Sequence, residues 1–491
     1  MTTHLEIESK FDAEPGQALP DLVGVVGVVA TTASAEMVLT ASYFDTESLA
    51  LGSAGATLRR RTGGTDDGWH LKLSVADGER LEVHRALGRS GKPPAALTSL
   101  VRAMTRGDTL VPVATLVTRR VVHQLLDDDG RVLVEIADDH VTGERAGTDE
   151  TVTWREIEAE LVDGDRAVLG AVTSSLIDAG LTVARGSSKV GRVLGSAPAT
   201  AAAKARRKDP AVEVLDAGRR AALRDLLTAD PLLRVDRPGA ASRMRAAISR
   251  VRAALAVGAE IASRRPGDPV RAELGWLDDV VAPLERADTL PARLREAVAR
   301  EPRDLVLGPV LRRLDRELAA TRKAALAEVR ATLDSPRYLS LLATLASTET
   351  AAAPEAARVR AGDLLPDLAD RNARRAERRL AQLRRAQSDE ERRWLLVGTR
   401  RAVERARYAG SLRPDGSAPQ DLLDEAADLL AELATVLSSQ DALRAVAAQA
   451  QRAGENTFTF GRLHGLEEVR AQDVRRRLNV VRKDLKRARQ P

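Results

Sequence analysis

The stretch His4-Leu5-Glu6-Ile7-Glu8-Ser9-Lys10 sets two carboxylates and an ammonium at alternate positions, which a β-strand projects to one face. The alternation recurs downstream. Arg59 and Arg61 share a parity, as do His70 and Lys72, and Arg80, Glu82 and His84. Arg119 and His123 follow, then Glu135 and Asp139, then Glu156, Glu158 and Glu160. The intervening positions are apolar: Leu5 and Ile7, Leu71 and Leu73, Leu81 and Val83, Val134 and Ile136. Carboxylates gather on the first and last charged runs and guanidinium groups on the middle ones. Carboxylate oxygens hold hard divalent cations, and arginine forks grip phosphate oxygens. A metal-bound chain of phosphates is therefore the chemistry this pattern suits. Two packings remain open: a conventional core with the charges in solvent, or an inverted barrel whose charges line a wet tunnel.

Eight strands are needed to carry these residues: His4–Phe11, Val38–Phe44, Ala56–Thr62, Trp69–Val75, Arg80–Leu87, Leu116–Leu126, Arg131–Ala137 and Val152–Val162. Gly63-Gly64-Thr65-Asp66-Asp67-Gly68 and Asp127-Asp128-Asp129-Gly130 read as hairpin connections. Ala18–Ala30 and Ala167–Ala179 read as helices flanking the sheet, and Trp69 and Trp154 as core residues on the apolar parity. Small residues and Pro interrupt the pattern over 196–210, the expected linker. From 211 to 490 the period is helical, with Ala, Leu, Arg and Glu prominent. The fold class is thus α+β, an N-terminal eight-stranded antiparallel β-tunnel with flanking helices, then an all-α domain of two tandem helical bundles.

Charge divides the chain in the same place. Residues 1–200 carry 20 Lys+Arg against 29 Asp+Glu, whereas 201–491 carry 56 against 42, within an overall charge of +5. An acidic domain with basic strands suits an internal charged site; an Arg-rich one suits a polyanion. Cys is absent, which excludes disulfides, thiolate metal sites and a Cys nucleophile and fits a cytoplasmic location. The opening residues lack the basic start of a signal peptide, and the longest apolar run, Leu22–Ala30, is too short to span a bilayer. Aromatic residues make up 2% of the chain, so base-stacking platforms are scarce and nucleic acid is an unfavoured partner.

His4-Leu-Glu-Ile-Glu-Ser-Lys10 resembles the HxExExK signature of CYTH domains, the triphosphate tunnel metalloenzymes. Tyr43-Phe44-Asp45-Thr46, Leu58-Arg59-Arg60-Arg61, His70-Leu-Lys72, Arg80-Leu-Glu82, Arg119, Glu135 to Asp139, Glu156 to Glu160 and Gly186-Ser-Ser-Lys189 follow in family order. The resemblance implies the inverted packing. It implies Glu6, Glu8, Glu158 and Glu160 as ligands of Mg2+ or Mn2+, with Glu156 as a further acid. It implies Lys10, Arg59, Arg61, Lys72, Arg80, Arg119 and Lys189 as phosphate binders, and Glu135 or Asp139 as the group handling an attacking water. The implied substrate is inorganic triphosphate or a similar linear chain; related tunnels cyclise ATP or cleave thiamine triphosphate.

The second half resembles the CHAD domain through Arg243-Met-Arg245 to Arg250-Val-Arg252, Glu273-Leu-Gly-Trp276, Ser335-Pro-Arg-Tyr338, Arg405-Ala-Arg407-Tyr408 and Gly454 to His464. That likeness implies a polyphosphate-binding basic surface. The chain departs from it where Ser242 and Val397 stand in for histidines and Glu404 for a basic residue. A non-catalytic polyphosphate-binding or granule-associated protein is the alternative from another class.

Overall fold

A computed structural model describes residues 2–76, 78–184, 188–195, 205–261, 268–348, 358–414 and 419–488. The chain forms two compact units, Met1–Ala201 and Ala202–Pro491. Most of the expected linker, 196–204, lies outside the described residues, as do Gly186 and Ser187.

The first unit is an antiparallel barrel. Its eight long strands are β1 (Thr2–Ala13), β3 (Met37–Asp45), β4 (Ala56–Thr62), β5 (Gly68–Ala76), β6 (Glu79–Arg85), β7 (Val111–Leu126), β8 (Val132–Arg145) and β9 (Thr151–Leu161). They run in the order β1-β6-β5-β4-β3-β7-β8-β9, and pairing of β1 with β9 closes the ring. Two short strands, β2 (Ala30–Ala33) and β10 (Thr182–Val183), attach to β7 and β1. Closure matters for the chemistry because it sets Lys10 opposite Glu158 and Glu8 opposite Glu160, although some 150 residues separate them in sequence.

The barrel is inverted. Phe11, Val134, Ile136, Ile157 and Ala159 face outward and are buried beneath a helix over Arg166–Asp178. Asp165 starts that helix by accepting from the amides of Ala167 and Val168, both at 2.9 Å. Its Val168, Leu169, Val172 and Leu176 form the apolar stripe that covers the sheet. Burying such a side chain stabilises the fold by roughly 1.5–3 kcal/mol, which fixes the strand phase and turns the charged parity inward.

The expected helix over 18–30 does not form. Gly24 and Gly27 adopt φ of +91° and +78°, so the segment turns repeatedly; it buries Leu22 and Val28 and leaves Val23, Val26 and Val29 outside. The helix expected over 167–179 is present. Short helices α1 (Ala50–Ser53), α2 (Ala95–Thr98) and α3 (Arg102–Thr105) connect strands; Arg166–Asp178 is α4 and Lys189–Leu194 is α5.

The second unit is helical: α6 (Ala211–Arg234), α7 (Ala240–Gly258), α8 (Asp268–Ala299), α9 (Val310–Leu333) and α10 (Pro336–Ser347) make one bundle. Helices α11 (Ala361–Arg385), α12 (Asp389–Ser411), α13 (Gln420–Arg452) and α14 (Phe458–Arg487) make the other around Leu430, Leu433, Val474 and Val481. The bundles meet where α7 packs on α12. Among the described residues no helix is long and apolar enough to cross a membrane.

Candidate active site

The barrel interior contains two connected charge centres. In the first, Lys189 enters from the N-terminus of α5 and places Nζ 3.0 Å from Asp139, 2.6 Å from Glu156 and 2.7 Å from Glu158. Arg120 forks onto Asp139 with two 2.6 Å hydrogen bonds and donates to Glu158 at 3.1 Å. Lys10 donates to Glu158 and lies 3.1 Å from Glu8, whose other oxygen is 3.1 Å from Arg80 Nε. Burial would raise the Glu158 carboxyl, but Lys10, Lys189 and Arg120 hold it well below the usual range. Asp139 is fully buried and held ionised: burial opposes this, and Lys189 and Arg120 outweigh it.

The second centre is an acid pair. Lys72 donates to both Glu6 oxygens at 2.7 and 2.8 Å. Burial, opposed by Lys72 and assisted by Glu82, pushes Glu6 up to about 7. Glu82 stays ionised against burial because His70, Lys72 and Arg59 favour its charge. His70 lies 2.8 Å from Glu82, and burial together with Arg59 and Arg61 pushes its imidazole down to about 4. Burial and the nearby Arg59 and Arg120 push Arg61 down to about 9, although it pairs with Asp66. Arg59 donates to Tyr43 at 3.4 Å.

One end of the barrel is closed. Val190 and Val193 of α5 pack on the inward-facing Ala41, Tyr43, Ala114, Leu116 and Val141. Gly143 permits this approach, since a Cβ there would stand 2.3 Å from Val193. Trp154 is inward too, donating to Glu156 at 2.5 Å and receiving the Arg192 guanidinium over its ring. The reading of Trp154 as an outer-face core residue is therefore corrected: it shares the parity of Glu156 and Glu158.

Most residues expected in the tunnel face it: Glu6, Glu8, Lys10, Arg59, Arg61, Lys72, Arg80, Asp139, Glu158 and Lys189 converge as described. Glu160 is inward near the other end, 4.0 Å from His4, and burial raises its carboxyl. Glu135 sits four residues from Asp139 on the same face and accepts from Gln124 at 2.8 Å. Arg119 does not reach the interior. Its side chain is 60% exposed on the outer face, 3.7 Å from Glu36, and His123 shares that face. The adjacent Arg120 supplies the tunnel guanidinium. Sequence reasoning left out Arg120, Glu82 and Tyr43 as site residues; Glu82 carried a signal, since it alternates with Arg80 and His84.

A divalent cation fits this chemistry. Oxygens of Asp139, Glu156 and Glu158 lie within 4.8 Å of one another, a hard-donor set of the kind Mg2+ or Mn2+ takes. The Lys189 ammonium lies among the same three carboxylates.

The sequence profile of the CYTH domain matches residues 4–182, and that of the CHAD domain matches 217–418. The chain is 30% identical over 500 residues to Rv2226, an uncharacterized protein of Mycobacterium tuberculosis, spanning 99% of this chain and 97% of that one. The chain belongs to the CYTH–CHAD family. The CHAD domain of the plant Ricinus communis is 20% identical, with a TM-score of 0.45 over 58% of this chain and 95% of its own. HpAC1 from Hippeastrum, described as having a dominant triphosphatase activity, is 16% identical, with a TM-score of 0.26 over 39% of this chain and 96% of its own.

The CHAD unit holds a second charged site, a cleft of about 2640 Å3 between its two bundles, lined by fourteen arginines against nine acids among the described residues. Its cations crowd one another. Burial and the neighbouring Arg401 and Arg271 lower Arg252, and burial and Arg245 lower Arg400. Ser242, Val397 and Glu404, the departures from the family's usual residues, all line this cleft.

Proposed function

We propose that the CYTH unit is a metal-dependent triphosphatase acting on inorganic triphosphate or a similar linear chain, and that the CHAD unit binds polyphosphate. The observation carrying the first part is the arrangement of cations and carboxylates inside a closed barrel with one end plugged. A linear chain of phosphates would lie along Arg59, Arg61, Lys72, Arg80 and Arg120, replacing their present carboxylate partners with phosphate oxygens. Tyr43 and Trp154, the aromatics nearest the plug, are engaged by Arg59, Arg192 and Glu156, which favours an inorganic chain over one carrying a base.

Glu6, Glu8, Glu158 and Glu160, with Asp139 and Glu156 beside Glu158, would hold a Mg2+ or Mn2+ ion. When bound, such an ion neutralises charge developing on the phosphates. Lys10 and Lys189 keep the carboxylates ionised. Asp139, paired with Arg120 and Lys189 here, keeps those two cations in place until phosphate oxygens take them over. Glu135 is the better placed of the two acids to orient a water and take its proton as the terminal P–O bond breaks, releasing phosphate and diphosphate.

Replacing Glu6 and Glu8 together by Gln tests the reading. Magnesium- or manganese-supported phosphate release from triphosphate should fall at least ~10³-fold, the scale of a lost charge-stabilising group. Unchanged turnover in that double variant would refute it.

A further inference from the structure

At one edge of the CHAD cleft the protein's own carboxylate occupies a nest of donors. Glu260 follows the last turn of α7. Its Oε1 accepts from Asn372 Nδ2 at 2.9 Å, from Arg375 at 3.0 Å and from Arg405, while Oε2 lies 3.5 Å from Arg371 Nε. Two of the donors, Asn372 and Arg375, also have partners besides Glu260. Asn372 is 1% exposed, donates also to the Leu368 carbonyl at 2.8 Å, and accepts from Arg375 at 3.0 Å.

Three guanidinium groups thus face one carboxylate. That single charge does not balance them: burial, with Arg375 and Arg271 close by, leaves Arg405 lowered even though Glu260 touches it. The Nε groups of Arg405 and Arg271 are buried and have no acceptor among the described residues. Arg375, Arg405 and Arg271 also line the cleft, where Arg271 continues the run toward Arg252 and Arg401. A carboxylate offers two oxygens; a phosphoryl group offers three arranged as a tripod, and it carries more charge for the same forks.

We propose that Arg371, Asn372, Arg375 and Arg405 form a phosphoryl subsite at the edge of the cleft, and that Glu260 is a tethered competitor which an incoming polyanion displaces. The proposal rests on the polyphosphate reading of this unit. It adds that the subsite is self-occupied, so affinity is held below what the arginines alone would give. The anion is recognised by phosphoryl oxygens, with no contact to a base or sugar.

The test is binding of long-chain polyphosphate to the full chain at low salt with EDTA, which keeps the tunnel from consuming the probe. Glu260→Gln should bind ~10-fold more tightly than the unaltered chain, and its salt dependence should steepen by about one phosphate contact. Glu260→Ala should move affinity the same way, with melting curves confirming that both variants fold. If the unaltered chain binds and neither variant binds more tightly, Glu260 is a structural tie and the proposal falls alone. If neither the chain nor the variants bind, the polyphosphate reading falls and takes the proposal with it.

Discussion

The tunnel and the cleft are both built on arginine, yet they use it in opposite ways. Inside the barrel nearly every cation is matched by a carboxylate at bonding distance: Arg120 with Asp139, Lys72 with Glu6, Lys189 with three acids at once. In the cleft, arginines outnumber acids and lower one another. Paired charges on rigid strands fix positions to a fraction of an ångström, which phosphoryl transfer needs. Clustered like charges on exposed helices supply attraction without a fixed pose, which suits holding a long polyanion. The comparison separates a site built for geometry from one built for field.

The largest expected effect breaks the tunnel's side of the comparison. Arg120→Met leaves the buried Asp139 short of a partner, so stability should drop by about 3–5 kcal/mol in denaturant melts and triphosphate turnover should be lost. Arg119→Met, one residue away on the outer face, should shift stability by less than ~0.5 kcal/mol. Equal losses in both would contradict the assigned phase of β7.

The cleft's side is sharpened by a double change. Arg252→Ala with Arg401→Ala should weaken long-chain polyphosphate binding by ~10-fold at low salt and flatten its salt slope by about two contacts, leaving triphosphate turnover within ~2-fold. Equal effects on both readouts would deny that the two sites are separable.

A further expected effect concerns pH. His70 is held neutral, because burial pushes its imidazole down to about 4 from the usual 6.5. The folded state therefore binds this proton less readily than the unfolded one. Its contribution is complete above about pH 6.5 and is lost as pH falls toward 4. His70→Gln should remove up to ~3 kcal/mol of that acid sensitivity, read as a flatter stability profile between those values.

Much of this was legible in the sequence where one period dominated. Glu6, Glu8 and Lys10 alternate cleanly with Leu5, Ile7 and Ser9, so β1 could face only one way once its apolar parity was buried. The phase of β7 was not legible, because Arg119-Arg120 and Val121-Val122 put matched residues on both parities and period two selects neither. Leu116 decides it, and it does so by packing against α5, a contact between distant parts of the chain. Trp154 does pack against a core cluster, but on the parity of Glu156 and not on the apolar one, as its even register with Glu156 and Glu158 dictates. Gly24 and Gly27 needed positive φ, and an apolar run rich in valine hid two turns.

The proposed turnover of a linear triphosphate with a divalent metal in the charged barrel is directly measurable. Phosphate release should be measured from inorganic triphosphate, ATP, thiamine triphosphate and long-chain polyphosphate, with Mg2+, Mn2+ or EDTA. Release should be fastest from inorganic triphosphate and abolished by EDTA and by Glu6→Gln with Glu8→Gln. Retention of polyphosphate with no release from any substrate, or release that survives the double substitution, would contradict it.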